Sequence, residues 1–254
     1  MSKFGVVVFP GSNCDHDAYY SLKKVLGYDV NFLWHKDTDL KNSDVIILPG
    51  GFSYGDYLRA GAVARFSPVM ESIMEFADKG GLVLGICNGF QALVRLGLLP
   101  AATGEPWQQD ATLTTNDSGK FEDRWVHLQI NAACTSPFVQ GMDRCYLPVR
   151  HGEGKFIPRN LEVLHRLQAN HQIAARYCTP DDSATTYPWN PNGSVDDIAA
   201  VCDVSGRIFG LMPHPEAYVH RLQHPRWTRE SLPEEGMGVQ LFRNAVAFAQ
   251  AHLL

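Results

Sequence analysis

The sequence predicts an α/β fold: a mostly parallel sheet with helices on both faces, plus a small antiparallel elaboration. Three observations carry this. Apolar runs of strand length alternate with helical segments through the first hundred residues. Two of the runs, Val45 to Leu48 and Leu82 to Ile86, lack any polar side chain, as in strands covered on both faces. Glycine- and proline-rich turns close the segments.

Taken in order, Lys3 to Phe9 is the first strand, ended by Pro10-Gly11. Asp15 to Leu26 places Ala18, Leu22, Val25 and Leu26 at helical spacing and stops at Gly27. Asp29 to Trp34 is the second strand, and Val45 to Leu48, the third, runs into Pro49-Gly50-Gly51. Ser67-Pro68 opens a helix with a capping hydroxyl before proline. Its buried stripe is Val69, Ile73, Phe76 and Ala77, and Gly80-Gly81 ends it. Leu82 to Ile86 is a strand and Asn88 to Leu96 a helix closed by Gly97. Residues 101–195 are rich in Pro, Asn, Asp, Thr and Gly; short strands are predicted at 126–130, 145–149 and 163–168, forming the antiparallel elaboration. Ile198 to Val201 and Arg207 to Met212 read as a hairpin returning to the sheet. Gly236 to Leu253 is an amphipathic helix with Val239, Phe242, Val246 and Ala249 on one face. Residues 1–254 read as one domain.

Composition excludes several function classes. Hydrophobic residues make up 45% and charged residues 19%, as in globular proteins. The formal charge is −5 with no basic stripe, which argues against a nucleic-acid partner. No apolar stretch approaches the roughly 20 residues that span a bilayer, and the N-terminus lacks a signal-peptide pattern. The six cysteines form no C-x-x-C pair, which predicts neither a disulfide framework nor a metal site and fits a reducing cytoplasm.

Gly85-Ile86-Cys87-Asn88-Gly89 is the pattern G-x-Nu-x-G, a nucleophile on a sharp strand-to-helix turn. The flanking glycines let strand and helix approach, and the helix N-terminus favours thiolate over thiol. A buried, inert cysteine is the competing reading of this pentapeptide alone. Such a nucleophile needs a base held by a third group. His214, in Met212-Pro213-His214-Pro215-Glu216, follows a strand, and in an extended segment Glu216 faces the same way. His151, in His151-Gly152-Glu153-Gly154-Lys155, is the rival base. Oxyanion donors would be the Asn88 backbone N–H and one from Pro49-Gly50-Gly51.

Gly85 to Gln91 with Pro213-His214-Pro215-Glu216 resembles the class I, triad-type glutamine amidotransferases, whose fold is flavodoxin-like. Phe9 to Asp15, Pro49 to Gly61, Asn116 to Glu122, His151 to Gly154 and Asn190 to Ser194 look like one branch, the glutaminases of phosphoribosylformylglycinamidine synthase in purine biosynthesis. The resemblance runs from residue 4 to about 248. It implies Cys87 as nucleophile, His214 as acid and base, Glu216 as orienter, and Gly51 and Asn88 as oxyanion donors. It implies Gly50, Gln91, Asn116, Ser118 and Phe121 as substrate contacts. It also implies a large synthetase subunit, PurL, which uses ATP and Mg on formylglycinamide ribonucleotide, and a small third subunit, PurS. This chain has no P-loop and is expected to hold no cofactor. Two departures stand out: Ala217 occupies a position where many relatives carry arginine, and residues 218–235 are longer than in the shortest stand-alone subunits.

Three other readings compete: a glutaminase serving another synthetase, a cysteine hydrolase on the same fold, or a non-catalytic glutamine-sensing module. Release of glutamate from glutamine separates the enzymes that use glutamine from the others.

Overall fold

In a computed structural model, which describes residues 2–104, 108–181 and 185–253, the predicted N-terminal strands assemble side by side. They are β1 (Lys3–Val8), β2 (Asp29–Trp34), β3 (Val45–Leu48) and β4 (Leu82–Ile86), and their order in space is β2-β1-β3-β4 with parallel pairing throughout. β3 and β4 are buried at every residue, as their uninterrupted apolar sequences require. The intervening helices are α1 (Asp15–Tyr19), α2 (Pro68–Asp78) and α3 (Asn88–Leu96). α1 continues into a π-helical segment over Tyr20–Val25, and Gly27 follows at φ +75°.

The central region contains β5 (Ala111–Thr114), β6 (Glu122–Ile130), β7 (Arg144–His151), β8 (Lys155–Pro158), α4 (Leu161–Ala169) and β9 (Ile173–Cys178). It is followed by β10 (Ile198–Cys202), β11 (Ile208–Leu211) and α5 (Gly238–His252). The antiparallel elaboration is largely an extension of the main sheet: β11 pairs with β4 in parallel, and β10, β9, β6 and β7 add antiparallel strands beyond it. Only β5 and β8 form a separate two-stranded sheet. The hairpin expected to return to the sheet is β10–β11.

The strand expected at 163–168 is instead helix α4. Asn160 caps it by accepting from Val163 N at 2.9 Å, Glu162 pairs with Arg166 at 2.8 Å, and Val163 and Leu167 bury one face. The apolar spacing there is four residues, not two, so helical periodicity wins.

One apolar core runs from Phe4 on β1 to Ala249 on α5. α3 packs on β3, β4 and β11. Gly85 on β4 and its register partner Gly210 on β11 both face it, where a Cβ would strike Leu93 and Phe90. The pair of bare backbones lets the helix that carries the elbow settle onto the sheet. Among the described residues no helix is long and apolar enough to cross a membrane.

Candidate active site

Cys87 joins β4 to α3 at φ 50° and ψ −104°, a conformation a non-glycine residue adopts only when its surroundings enforce it. The enforcement is visible on both sides. A Cβ on Gly89 would stand 2.0 Å from the Leu48 carbonyl oxygen, and one on Gly85 would stand 2.8 Å from Phe90 N. The Cys87 N–H donates to Leu211 O at 2.8 Å, and its thiol lies 3.7 Å from Arg150 O at the end of β7. The thiol therefore sits between the ends of β4, β11 and β7.

His214 arrives from β11 and is fixed by its N–H donating to Pro148 O at 2.8 Å. Its Nδ1 lies 2.6 Å from Glu216 Oε1. The reach differs from the extended geometry the sequence suggests: Pro215–Ala217 is a 3-10 turn, and the turn brings the carboxylate back to the ring. His214 and Glu216 are 1% and 2% exposed, so this contact is desolvated. His214 Nε2 makes no hydrogen bond. Burial acts to lower the His214 pKa, yet the Glu216 carboxylate, the charge of Cys87 and the thiols of Cys14 and Cys87 together raise it well above its ordinary value. This environment favours the imidazolium form of His214.

Gly50 lies among His214, Cys14 and Cys87: a Cβ there would stand 2.7 Å from His214 Cε1 and 3.4 Å from both Cys14 Sγ and Cys87 Cβ. Gly51, at φ +129°, packs against Ser12 and Asn13, where any Cβ would collide at 2.7 Å. Glycine is required at 51 both by the backbone angle and by this close approach. Asn88 is the first residue of α3, whose leading N–H groups have no intrahelical partner.

Cys14 has only a weakly suggestive sequence context, Gly11-Ser12-Asn13. The structure buries it at 8% exposure beside His214. Its sulfur, a His214 nitrogen and a Glu216 oxygen lie within 4.8 Å of one another, the only set among the described residues arranged to hold a cation. Glu216 already spends one oxygen on His214.

The predicted substrate contacts divide. Gln91 is buried: its Nε2 donates to Glu153 O at 2.6 Å, and its Oε1 accepts from Asn88 Nδ2 at 2.9 Å. Asn116 is committed to structure: its Nδ2 donates to Lys120 O and His151 O, and its Oδ1 accepts from Gly154 N at 2.9 Å and meets His151 Nδ1 at 3.2 Å. It staples the 151–154 turn. Phe121 is exposed at the rim, its ring 6.3 Å from that of Phe52, next to Gly51. Ser118 accepts from Lys120 N at 3.3 Å and lines a groove with Asp117, Lys120 and Tyr187. The structure gives Ser118 no contact with Cys87, His214 or Glu216.

His151, the rival base, is 3% exposed and lies against Gly154. Burial first, and the charge of His214 second, push its pKa down to about 3, so the ring is neutral at physiological pH. A base this weak is mismatched to proton transfer near neutrality, which favours His214.

The chain is similar to known proteins. A family model described as the CobB/CobQ-like glutamine amidotransferase domain covers residues 2–249, which sets the class: the chain is a glutamine amidotransferase domain. The chain is 48% identical to phosphoribosylformylglycinamidine synthase subunit PurQ of Moorella thermoacetica, over 84% of this chain and 86% of that protein. It is 44% identical to the PurQ subunit of Dehalococcoides mccartyi over 98% of this chain and 99% of that one. The solved structure of PurLQS from Thermotoga maritima contains a chain with 34% identity and a TM-score of 0.75, covering 97% of this chain and 98% of that one. The chain belongs to the PurQ family of glutamine amidotransferase subunits.

Proposed function

We propose that this chain is the glutaminase of a phosphoribosylformylglycinamidine synthase, with Cys87 as nucleophile, His214 as acid and base and Glu216 as its orienter. The observation that carries the reading is His214: one ring nitrogen is held by Glu216, and the ring is buried beside the Cys87 thiol.

In the proposed reaction the Cys87 thiolate attacks the side-chain carboxamide carbon of glutamine. The Gly51 and Asn88 N–H groups hold the oxyanion. His214, as imidazolium, protonates the departing nitrogen, and ammonia leaves a γ-glutamyl thioester. A water molecule gives a proton to His214 and attacks the thioester, releasing glutamate and restoring the thiolate–imidazolium pair. Gly50, Gln91 and Phe121 border the bound glutamine; Asn116 supports it through the 151–154 turn.

The ammonia passes to the large subunit, PurL, which uses ATP and Mg to convert formylglycinamide ribonucleotide to formylglycinamidine ribonucleotide, with PurS as the small third subunit. Family membership and the PurLQS structure support this assignment. This chain needs no cofactor for its own half-reaction. A cytoplasmic site of action fits six free cysteines.

The test is acid quenching during turnover with glutamine, followed by peptide mass spectrometry. A γ-glutamyl adduct on the Cys87 peptide is the expected result. Continued glutamate release by Cys87→Ala would overturn the reading.

A further inference from the structure

After β3 the chain passes through a strained loop. Tyr54, Asp56 and Leu58 all take positive φ, at 55°, 52° and 71°. Non-glycine residues hold such angles only when other contacts over-determine them. Tyr54 is held by its N–H to Pro10 O at 2.5 Å and by its hydroxyl to His35 Nδ1 and Ser67 Oγ at 2.7 and 2.8 Å. Asp56 is held by the elbow: its Oδ1 accepts from Asn88 Nδ2 at 2.9 Å.

Asn88 spends its whole side chain in this neighbourhood. Its Nδ2 serves both Asp56 Oδ1 and Gln91 Oε1, and its Oδ1 accepts from Ser53 N at 3.0 Å. Gln91 carries the connection on to Glu153 O. The Glu153 carboxylate in turn meets Arg59 at 3.4 Å, which returns the connection to the same loop. A closed ring thus joins the loop after β3, the elbow and the turn after β7. Both proposed oxyanion donors sit on it: Asn88 follows Cys87, and Gly51 lies two residues before Ser53.

We propose that Asp56 is a positioning residue for the glutaminase reaction, anchoring Asn88 so that the N–H groups of Asn88 and Gly51 point at one oxyanion site. This rests on the glutaminase reading above. Asp56 touches neither the thiol nor the imidazole. It fixes the amide of Asn88, and through Ser53 the chain beside Gly51. The half-buried carboxyl, raised to about 6 by burial against hydrogen bonds from Asn88 and Gly61, is a group the fold retains at a desolvation cost.

The experiment compares wild type, Asp56→Ala and Asp56→Asn in the reconstituted complex, by glutamine kinetics and by alkylation of Cys87 with iodoacetamide, read on the Cys87 peptide. Alkylation uses the thiolate but develops no oxyanion. Asp56→Ala lowers kcat about 10- to 100-fold with KM changed less than about 3-fold, while alkylation keeps its wild-type rate. Asp56→Asn, which still offers Oδ1 to Asn88, restores most of kcat. Unchanged kcat in Asp56→Ala, or a parallel loss of alkylation, overturns the proposal. Failure of the glutaminase reading would show separately, as wild-type turnover that survives Cys87→Ala.

Discussion

His214 Nδ1 lies 2.6 Å from Glu216 Oε1 in a site closed to solvent on both side chains. With the carboxylate removed, the largest of the contributions that raise the His214 pKa is lost, and only Cys87 and Cys14 are left to oppose burial. Glu216→Gln keeps the shape and removes the charge. Its kcat should fall by about two to four orders of magnitude, since ring orientation and imidazolium stabilisation are lost together. Steady-state kinetics check the fall.

The Leu48 carbonyl leaves no room at residue 89. A Cβ 2.0 Å from a backbone oxygen cannot be relieved by turning a side chain. Gly89→Ala should therefore destabilise the fold by about 3 kcal/mol or more, or prevent it. Gly152→Ala is the contrast, because the nearest atom to its Cβ is Phe121 Cδ2 at 3.9 Å. Thermal unfolding of the two variants should separate them clearly.

Asn116 satisfies the Gly154 N–H and meets Nδ1 of the buried His151 ring. Asn116→Ala leaves these groups unpaired and should cost about 2 to 4 kcal/mol. Asn116→Asp should be at least as damaging, because a carboxylate would face the carbonyls of Lys120 and His151 that now accept from Nδ2. Chemical denaturation measures both. A rise in KM should accompany the loosened 151–154 turn.

His151 makes the protein sensitive to acid. Its folded pKa, about 3, lies below the unfolded value near 6.5, so the unfolded chain binds the proton first. Stability is unaffected by this group above 6.5 and is lost as pH falls from 6.5 toward 3, by about 1.4 kcal/mol per pH unit. His151→Gln should flatten that part of the stability profile relative to wild type. Equal slopes for the two proteins between pH 6 and 4 would contradict the assignment.

What the sequence discloses is what lies close together along it. Gly85 to Gly89 states the elbow almost completely, because strand, nucleophile and helix start occupy one stretch. Pro213 to Glu216 does the same for the proposed base and orienter, although a turn rather than an extended run brings Glu216 to the ring. β3 and β4 are legible because each is apolar throughout. α4 is hard to see in the sequence because Leu161 and Leu164 blur the spacing of Val163 and Leu167. The distal half of the sheet looks like a small addition because antiparallel partners β6, β7 and β9 are joined by long connections. Cys14, Asp56 and Asn116 lie in stretches that carry the family resemblance, but what each touches depends on contacts across the chain that spacing along the sequence does not state.

The account as a whole turns on Cys87 supplying ammonia from glutamine to a synthetase. Reconstitution with PurL and PurS tests it, comparing formylglycinamidine ribonucleotide formation from glutamine and from an ammonium salt, for wild type and Cys87→Ala. The predicted result is loss of glutamine-dependent synthesis with ammonium-dependent synthesis retained. Undiminished synthesis from glutamine by Cys87→Ala would contradict the account.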